Sequence, residues 1–418
     1  MKQERKASMY FIFATILLDV IGIGLIIPVL PKLVTIFCNN DLSDAAKYSG
    51  VLIGVYALMQ FIFAPIMGGL SDQYGRRPIL LASMFGFGLD YLLLAFAPNL
   101  AWLFVGRVIA GITGASFTTA NAYIADISDD SNRTQNFGMV GAAFGLGFII
   151  GPVIGGLLAS YDLKLPFFVA SALSIINWLY GYFVLPESLS LEKRRPFDIK
   201  RANPIGSVLR LKKYPNILGT LAVLVCLFLG GQVHPSTWAL FTIKEFQWDA
   251  MQIGFSLAFV GLAIGFVQGF LIRITTPKFG RDKSIIIGLI AYIVGFFLFS
   301  TASHGWMMYA FMIPFALGGL ATPNLQSAVS GQVNPNEQGE LQGSLTSIMS
   351  LTAFIGPIVH TNLFAYFSKP DAIVFYPGAA FLMGSLLSAF ALVLYLKSDI
   401  RNNDNEKIKD EEVEIPVR

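Results

Sequence analysis

The sequence predicts an all-α membrane protein with twelve transmembrane helices in two pseudo-symmetric six-helix bundles. Three observations predict this fold class: the composition, a series of long apolar segments and an internal repeat. Hydrophobic residues make up 55% of the 418 residues and charged residues only 13%, and the mean hydropathy is +0.63. Soluble domains carry about 25% charged residues. The composition therefore excludes a disordered chain and argues against a soluble enzyme.

Twelve apolar segments are each long enough to cross a bilayer core, which requires about 20 residues per helix. The stretch from Tyr214 to Ile243, for example, contains no Lys, Arg, Asp or Glu. We place the segments near residues 8–30, 48–71, 78–97, 100–125, 136–160, 165–186, 214–240, 250–273, 284–302, 305–330, 341–366 and 374–396.

The distribution of Lys and Arg predicts the orientation of these segments. If both termini and the even-numbered loops face one side, that side holds 23 of the 29 Lys and Arg residues, and the opposite loops hold five. The remaining residue, Arg107, lies inside the fourth segment. Since cytoplasmic loops are enriched in Lys and Arg, we predict a multi-pass protein of the inner (plasma) membrane with both termini in the cytoplasm.

Three short motifs recur 205 residues further along the chain, which predicts a duplicated six-helix unit. The matching pairs are Tyr74-Gly75-Arg76 with Phe279-Gly280-Arg281, Phe137-Gly138 with Gln342-Gly343, and Gly151-Pro152 with Gly356-Pro357. We therefore divide the chain into an N-terminal bundle (1–186), a basic cytoplasmic linker (187–213), a C-terminal bundle (214–396) and a cytoplasmic tail (397–418). Paired repeats are typical of transporters, with a substrate site at the repeat interface.

A charged, glycine-containing turn follows the second segment and reads GGLSDQYGRRP over residues 68–78. It resembles the GxxxDxxGRR signature of the major facilitator superfamily. Arg76 and Arg77 can pair with acids at the end of span four, such as Asp126, and a carboxylate at position 72 can stabilise a helix N-terminus by about 0.3–1 kcal/mol. The resemblance thus implies a cytoplasmic gate made of Gly68, Asp72, Gly75, Arg76, Arg77 and Asp126.

The fifth segment reads GFIIGPVIGG over residues 147–156. Small residues four apart allow two helices to approach closely, and an internal proline favours a kink. The segment resembles the superfamily's antiporter motif, GxxxGPxxGG, which occurs mainly in proton-driven exporters. The matching residues are Gly147, Gly151, Pro152, Gly155 and Gly156. Plain helix packing is the alternative interpretation.

Three charged residues, Asp19, Asp90 and Arg107, lie within predicted spans. A charge inside a span is costly unless it is paired or hydrated, so each is a functional candidate. Residues 107–115 also resemble an RxxxGxxxA motif that is linked to proton transfer. A carboxylate that is influenced by burial and by an arginine can exchange a proton as its surroundings change. We therefore predict that these three residues couple proton movement to transport; a structural hydrogen bond or ion pair is the alternative for each.

Over residues 8–395 the chain is similar to the tetracycline efflux branch of the drug:proton antiporters. Besides loop 68–78, the resemblance is carried by Leu18-Asp19-Val20, Gly88-Leu89-Asp90-Tyr91, Tyr123-Ile124-Ala125-Asp126-Ile127, Gly254-Phe255-Ser256-Leu257 and Leu341-Gln342-Gly343. It implies proton-coupled export of a small amphipathic compound by alternating access, carried out by a monomer. Tetracycline exporters typically carry a His in span eight and an Asp in span nine, where this chain has Ile264 and Tyr292. This departure leaves the substrate open.

The remaining polar candidates are weaker. His360 and His234 are candidates to replace the missing pair, although a lone His near a membrane helix is usually structural. The predicted cavity polar groups are Gln60, Asn121, Gln232, Gln268, Gln326 and His360. With two Cys and three His, and no metal-ligand spacing or phosphate-binding loop, we expect no metal, no cofactor except protons and no nucleic-acid partner; the expected partners are a small-molecule substrate and the lipid bilayer.

Two other functions stay open at this point. A proton-coupled uptake symporter for a nutrient or metabolite could use the same fold, although the antiporter motif argues against it. A membrane enzyme or a receptor without transport is a third class, and the sequence contains no activated-nucleophile pattern that would favour it.

Overall fold

The computed structural model describes residues 9–114, 117–128, 133–197, 217–332 and 338–398. Within these residues, twelve helices are long and apolar enough to cross a membrane, which confirms the predicted fold class. The helices are α1 (Met9–Ile26 and Leu30–Phe37), α2 (Leu42–Tyr74), α3 (Arg76–Ala95), α4 (Leu100–Gly114 and Phe117–Ile127), α5 (Arg133–Tyr161), α6 (Leu165–Val184), α7 (Leu218–Gly231 and Val233–Phe246), α8 (Ala250–Phe279), α9 (Arg281–Ser300), α10 (Gly305–Ser330), α11 (Gln338–Phe367) and α12 (Ala379–Leu396).

Several predicted features lie outside the described residues. They are the linker after Phe197, the tail after Ser398, and the side chains of the repeat pair Phe137-Gly138 and Gln342-Gly343.

Some helices extend beyond the apolar segments that predicted them. Helix α2 begins at Leu42, six residues before the predicted span, because the Asp41 carboxylate caps it by accepting hydrogen bonds from the backbone N–H groups of Ser43 (2.8 Å) and Asp44 (3.2 Å). Helix α1 resumes after a break and ends at Phe37, and Pro31 lies in the first turn of this second segment, where its missing N–H costs nothing. Hydropathy therefore located the bilayer-spanning part of each helix but not its polar ends.

The internal repeat extends to the backbone geometry. Helices α3 and α9 begin and end 205 residues apart. The residues that precede them, Gly75 and Gly280, have φ angles of +105° and +81° with ψ angles of 158° and 164°. This region of backbone space is essentially restricted to glycine. The sharp turn between the second and third helix is thus built identically in both repeats.

Contacts divide the described residues into two compact units. The first comprises the described parts of residues 1–204 and 239–262, and the second comprises those of 205–238 and 263–418. Residues 239–262 group with the first unit because the start of α8 packs on α5, where Gly254 lies against the Pro152 carbonyl and Gly156 against the Ala250 carbonyl. The predicted bundle boundaries at 186 and 214 stay a prediction.

The first unit is organised around α1, which packs along α5 and also contacts α6. One apolar cluster surrounds the first half of α1 and includes Ile12, Ile16 and Tyr123. A second surrounds the end of α1 and includes Leu25, Phe87, Leu103 and Phe167. In the second unit, the largest cluster joins α7, α9, α10, α11 and α12, and its members include Leu224, Leu289, Leu325, Leu345 and Tyr395.

Large apolar side chains are exposed on the outer faces of these helices. Phe266, Leu386 and Phe390 are each more than half exposed. Exposed apolar patches of this extent are rare on soluble monomers, whereas a bilayer solvates them with hydrocarbon. The exposed surface therefore agrees with a chain that spans a membrane.

Glycines allow α1 and α5 to approach closely. A Cβ atom added at Gly24 would lie 3.0 Å from the Gly151 Cα, and one added at Gly147 would lie 2.6 Å from a methyl carbon of Val20. By contrast, Gly141 and Gly145 on the same helix face open space. The small residues that matter for packing are thus those of the 147–156 motif.

We predict that Gly151→Ala destabilises the protein, because the new Cβ would lie 2.7 Å from the Gly24 Cα and 2.8 Å from the Ile21 carbonyl oxygen. Overpacking of this kind costs about 1–3 kcal/mol. Gly145→Ala is the matched control, and it should be neutral or stabilising because alanine favours a helix over glycine by up to about 1 kcal/mol. The measurement is thermal unfolding of both purified variants in detergent, and equal losses of stability would contradict the packing described here.

Candidate functional site

A buried ion pair links α3 and α4 in the first unit. The Arg107 Nη2 atom lies 3.3 Å from the Asp90 Oδ2 atom, and the side chains are 13% and 0% exposed. Gly106 makes room for the carboxylate, since a Cβ there would lie 2.7 Å from Asp90 Oδ1. Removing either partner would leave the other as an uncompensated buried charge. The short distance shows that the structure brings together two of the three predicted coupling residues. Their role in coupling stays a prediction.

Two tyrosines extend this charged cluster and were missed by the sequence analysis. The Arg107 guanidinium lies 5.9 Å from the ring centroid of Tyr56, within the range of a cation–π interaction. Electrostatic interactions also connect Tyr56 and Tyr91 with Asp19, Asp90 and Arg107. The Tyr56 hydroxyl accepts a hydrogen bond of 2.9 Å from the Gln60 side chain, so the predicted cavity residue Gln60 lies beside this cluster.

The third predicted coupling residue, Asp19, is held by α6. The Nδ2 atom of Asn177 donates a hydrogen bond of 3.0 Å to Asp19 Oδ1 and another of 3.0 Å to the Thr15 carbonyl oxygen. Asn177 is fully buried. The sequence analysis missed it, although a side-chain amide in the uncharged span 165–184 was a usable signal.

The histidines of the second unit are surrounded by backbone and aromatic groups. His360 is fully buried, and its Nε2 lies 3.0 Å from the Leu229 carbonyl oxygen. Because a carbonyl only accepts, His360 donates this hydrogen bond and ties α11 to α7. The ring of His234 lies 4.5 Å from that of Trp238 and 5.5 Å from that of Phe315. These surroundings favour the structural interpretation for His360.

Apolar packing occupies the two positions where tetracycline exporters typically carry a His and an Asp. Ile264 packs against an apolar cluster that contains Val267 and Leu320. The ring of Tyr292 lies 5.5 Å from that of Phe315 and fills the space above Gly318. The structure therefore supplies a packing role for both residues.

The other predicted cavity residues are dispersed. Asn121 and Gln268 are exposed, and Gln268 lies in a π-helical turn of α8 over Val267–Leu271. Gln232 and Gln326 are half-buried, and Gln232 packs against Gly356. Their contact with a substrate stays a prediction.

The loop between α2 and α3 brings Arg76 between two carboxylates. Its Nη1 atom lies 2.5 Å from Asp72 Oδ1 and 2.6 Å from the Ser71 hydroxyl, and its Nε atom lies 3.1 Å from Asp126 Oδ2. The arginine thus connects the end of α2 with the end of α4, and its backbone begins α3. Gly68, which lies one turn before Asp72, approaches Thr118 of α4.

Among the described residues Arg77 forms no ion pair with Asp126, and its pairing with another acid at the end of span four stays a prediction. Instead, its Nη2 atom donates a hydrogen bond of 2.6 Å to the Tyr182 carbonyl oxygen, and its guanidinium lies 5.8 Å from the Tyr182 ring centroid. Consecutive residues of a helix do not share a face. Arg77 therefore points to α6 while Arg76 points to Asp126.

Glu187, which the sequence analysis missed, caps helix α3. Its carboxylate accepts hydrogen bonds from the backbone N–H groups of Arg76 (2.9 Å) and Arg77 (3.2 Å), more than a hundred residues away in the chain. A carboxylate at this position satisfies free N–H groups and complements the helix dipole. The guanidinium of Arg194 lies 3.9 Å from the same carboxylate. The first residues of the predicted linker, which include Glu187 and Arg194, therefore contribute to the structure of the turn between α2 and α3.

The antiporter motif uses two faces of α5. Gly147, Gly151 and Gly155 lie against α1, where Gly155 meets the Leu25 carbonyl. The Pro152 ring also lies against Gly24 of α1, whereas the Pro152 carbonyl and Gly156 lie against the start of α8. The motif therefore has a packing role in this structure, and its link to antiport stays a prediction.

Comparison with known proteins identifies the family. A model of the Major Facilitator Superfamily matches residues 12–277 and 236–416. The class C tetracycline resistance protein of Escherichia coli is 40% identical over 380 residues, which cover 91% of this chain and 94% of that protein. The class B protein of Escherichia coli is 38% identical over 384 residues, covering 90% and 94% of the two chains.

Solved structures with low sequence identity share the fold. The human organic anion transporter MFSD10 aligns with a TM-score of 0.68 and 23% identity, covering 94% of this chain and all of that one. The nucleoside transporter NupG aligns with a TM-score of 0.71 and 13% identity, covering 93% and 98% of the two chains.

We predict that Gly75→Ala destabilises the protein more than Gly280→Ala. Both substitutions force alanine into a glycine-only backbone region, which costs about 1–3 kcal/mol. At Gly75 the new Cβ would also overlap the Glu187 carboxylate and lie 2.8 Å from an Arg194 nitrogen, whereas at Gly280 it meets open space. Thermal unfolding of the two variants measures the difference, and a larger loss at Gly280 would show that the Glu187 contact does not stabilise this turn.

Proposed function

Because the chain belongs to the major facilitator superfamily, we propose that it exports a small amphipathic drug in exchange for protons by alternating access. Tetracycline-like compounds are the candidate substrates, since the resistance proteins named above are similar to this chain over nearly their whole length. The observation that carries the proposal is the buried Asp90–Arg107 pair, with the Asp19 carboxylate held on a neighbouring helix.

The ion pair links proton binding to a change in the contacts of Arg107. When Asp90 binds a proton it loses its negative charge, and Arg107 loses its counterion inside the helix bundle. The guanidinium must then find another acceptor or water, so proton binding and side-chain rearrangement are coupled. Tyr56, whose ring already lies beside the guanidinium, is a candidate partner in that rearrangement.

The proton gradient supplies enough free energy for useful export. At about 100 mV, one charge moving inward yields ~2.3 kcal/mol, and each tenfold drug gradient costs ~1.4 kcal/mol, so one net charge supports roughly a fifty-fold gradient. For a monocationic drug exchanged for one proton, the voltage contributions cancel and only the pH difference drives export.

The same proposal places the protein in the inner membrane as a monomer with both termini in the cytoplasm. The excess of Lys and Arg in the terminal and even-numbered loops supports this orientation. The expected partners are the drug and the lipid bilayer, with no nucleic acid. We propose no enzymatic activity, no metal and no cofactor other than the coupling protons.

Drug-triggered proton movement in sealed liposomes tests the proposal. With wild-type protein, adding tetracycline or another amphipathic drug outside should raise the internal pH, since drug enters as protons leave. Asp19→Asn and Asp90→Asn should abolish this signal, because neither amide can bind and release a proton. Asp162→Asn is the control, as Asp162 lies between α5 and α6 and, among the described residues, its carboxylate accepts a hydrogen bond from the nearby Lys164 N–H.

The direction of the pH change separates exchange from uptake. A fall in internal pH on drug addition would instead indicate a symporter, which carries protons inward with its substrate. Equal signals in the wild type and in both carboxylate variants would refute the assignment of the coupling site. If wild-type protein gave no pH change with tetracycline or with any other amphipathic drug tested, drug export would be refuted.

A further inference from the structure

We propose that Asn177 is a positioning residue for Asp19: its side-chain amide holds the carboxylate by a hydrogen bond and sets the pH at which Asp19 exchanges its proton. This inference rests on the proposed function, since it assigns a role within the same coupling site. Neither the loop motif nor the antiporter motif includes this residue.

The orientation of the Asn177 amide is fixed by the backbone of α1. Its Nδ2 atom lies 3.0 Å from the Thr15 carbonyl oxygen and 3.0 Å from Asp19 Oδ1. A flipped amide would place two acceptors, Asn177 Oδ1 and the Thr15 carbonyl, against each other. The backbone carbonyl therefore fixes the orientation of the amide in this arrangement, and the second N–H points to Asp19.

The burial of Asn177 argues against a purely structural role. Its side chain is fully buried, and its Oδ1 atom has no hydrogen-bond partner among the described residues. An unsatisfied buried acceptor is costly, and a leucine of similar volume would avoid that cost. The amide is therefore explained by the hydrogen bond that it donates to the carboxylate.

The hydrogen bond favours one protonation state of Asp19. A donor aimed at a carboxylate stabilises the ionised form relative to the neutral form. Asn177 thus opposes proton binding in the arrangement seen here, and a shift of α6 against α1 would remove that opposition. The residue can in this way connect helix movement with proton uptake.

The surroundings of Asp19 contain few other groups that could set its proton affinity. Electrostatic interactions connect it with Tyr56 on α2 and Tyr91 on α3, and these tyrosines interact in turn with Asp90 and Arg107. On α5, Gly147 packs against Val20 and Ile21, the residues that follow Asp19. On α6 the ring of Tyr180 lies 6.0 Å from that of Phe11, which is two turns from Asp19 on α1. Asn177 is the group that donates a hydrogen bond to the carboxylate among the described contacts.

The pH profile of drug-triggered proton movement in liposomes tests this role. In Asn177→Leu, which removes both donors at similar volume, the midpoint of the profile should shift by about one pH unit to higher pH. Asn324→Leu is the matched control. Asn324 is a buried asparagine of the second unit that donates to the Leu320 carbonyl oxygen (2.9 Å) and to the Thr276 hydroxyl (3.2 Å). Its loss should lower stability without moving the midpoint.

Asn177→Ala is the second variant, in case leucine prevents folding, and it should shift the midpoint in the same direction. An unchanged midpoint in either folded Asn177 variant, with a normal wild-type signal, would overturn the role of Asn177 and leave the proposed function intact. An equal shift in Asn324→Leu would also overturn it, because the effect would then reflect the general loss of a buried asparagine. If the wild-type protein showed no drug-triggered proton movement, the proposed function would be overturned, and the inference with it.

Discussion

The interaction on which the functional part of the structure depends is the buried ion pair between Asp90 and Arg107. A charge inside a membrane helix is tolerated only when it is paired or hydrated, and the surrounding residues meet this requirement. Gly106 makes space for the carboxylate, and the Tyr56 ring lies beside the guanidinium. The second carboxylate, Asp19, is satisfied by Asn177 from another helix. The first unit thus holds a buried ion pair and, on a neighbouring helix, a second carboxylate, and we propose that these groups bind and release the coupling proton.

The turn before the third helix has the same backbone conformation in both repeats, but the described side chains around it differ. Gly75 and Gly280 adopt the same unusual conformation at equivalent positions. Around Gly75, Glu187 caps α3 and Arg76 connects two carboxylates. Around Gly280 the space is open, and Asp282 accepts a hydrogen bond of 3.0 Å from the Tyr395 hydroxyl. The turn is therefore preserved in both repeats, and around Gly75 a network of described charged residues is built on it.

Hydropathy and the repeat predicted the fold because bilayer thickness dictates helix length and because the turn glycines are needed in both halves. The pairing of Asp90 with Arg107 could also be inferred from the sequence, because an unpaired charge inside a membrane span is costly. The roles of Asn177 and Glu187 were not predictable in the same way. Both act through contacts between residues more than a hundred positions apart, and the backbone groups they satisfy leave no side-chain pattern in the sequence. Of the two consecutive arginines, Arg76 is the one that pairs with Asp126, because neighbouring residues of a helix do not share a face.

Infrared difference spectroscopy tests most directly whether the coupling protons reside on Asp19 and Asp90. Spectra of the purified protein in lipid, with and without drug, would be compared for the wild type, Asp19→Asn and Asp90→Asn. The expected result is a drug-sensitive band of a protonated carboxyl group in the wild type that is lost or altered in each variant. A band that persists unchanged in both variants would contradict the assignment and place the coupling proton elsewhere in the chain.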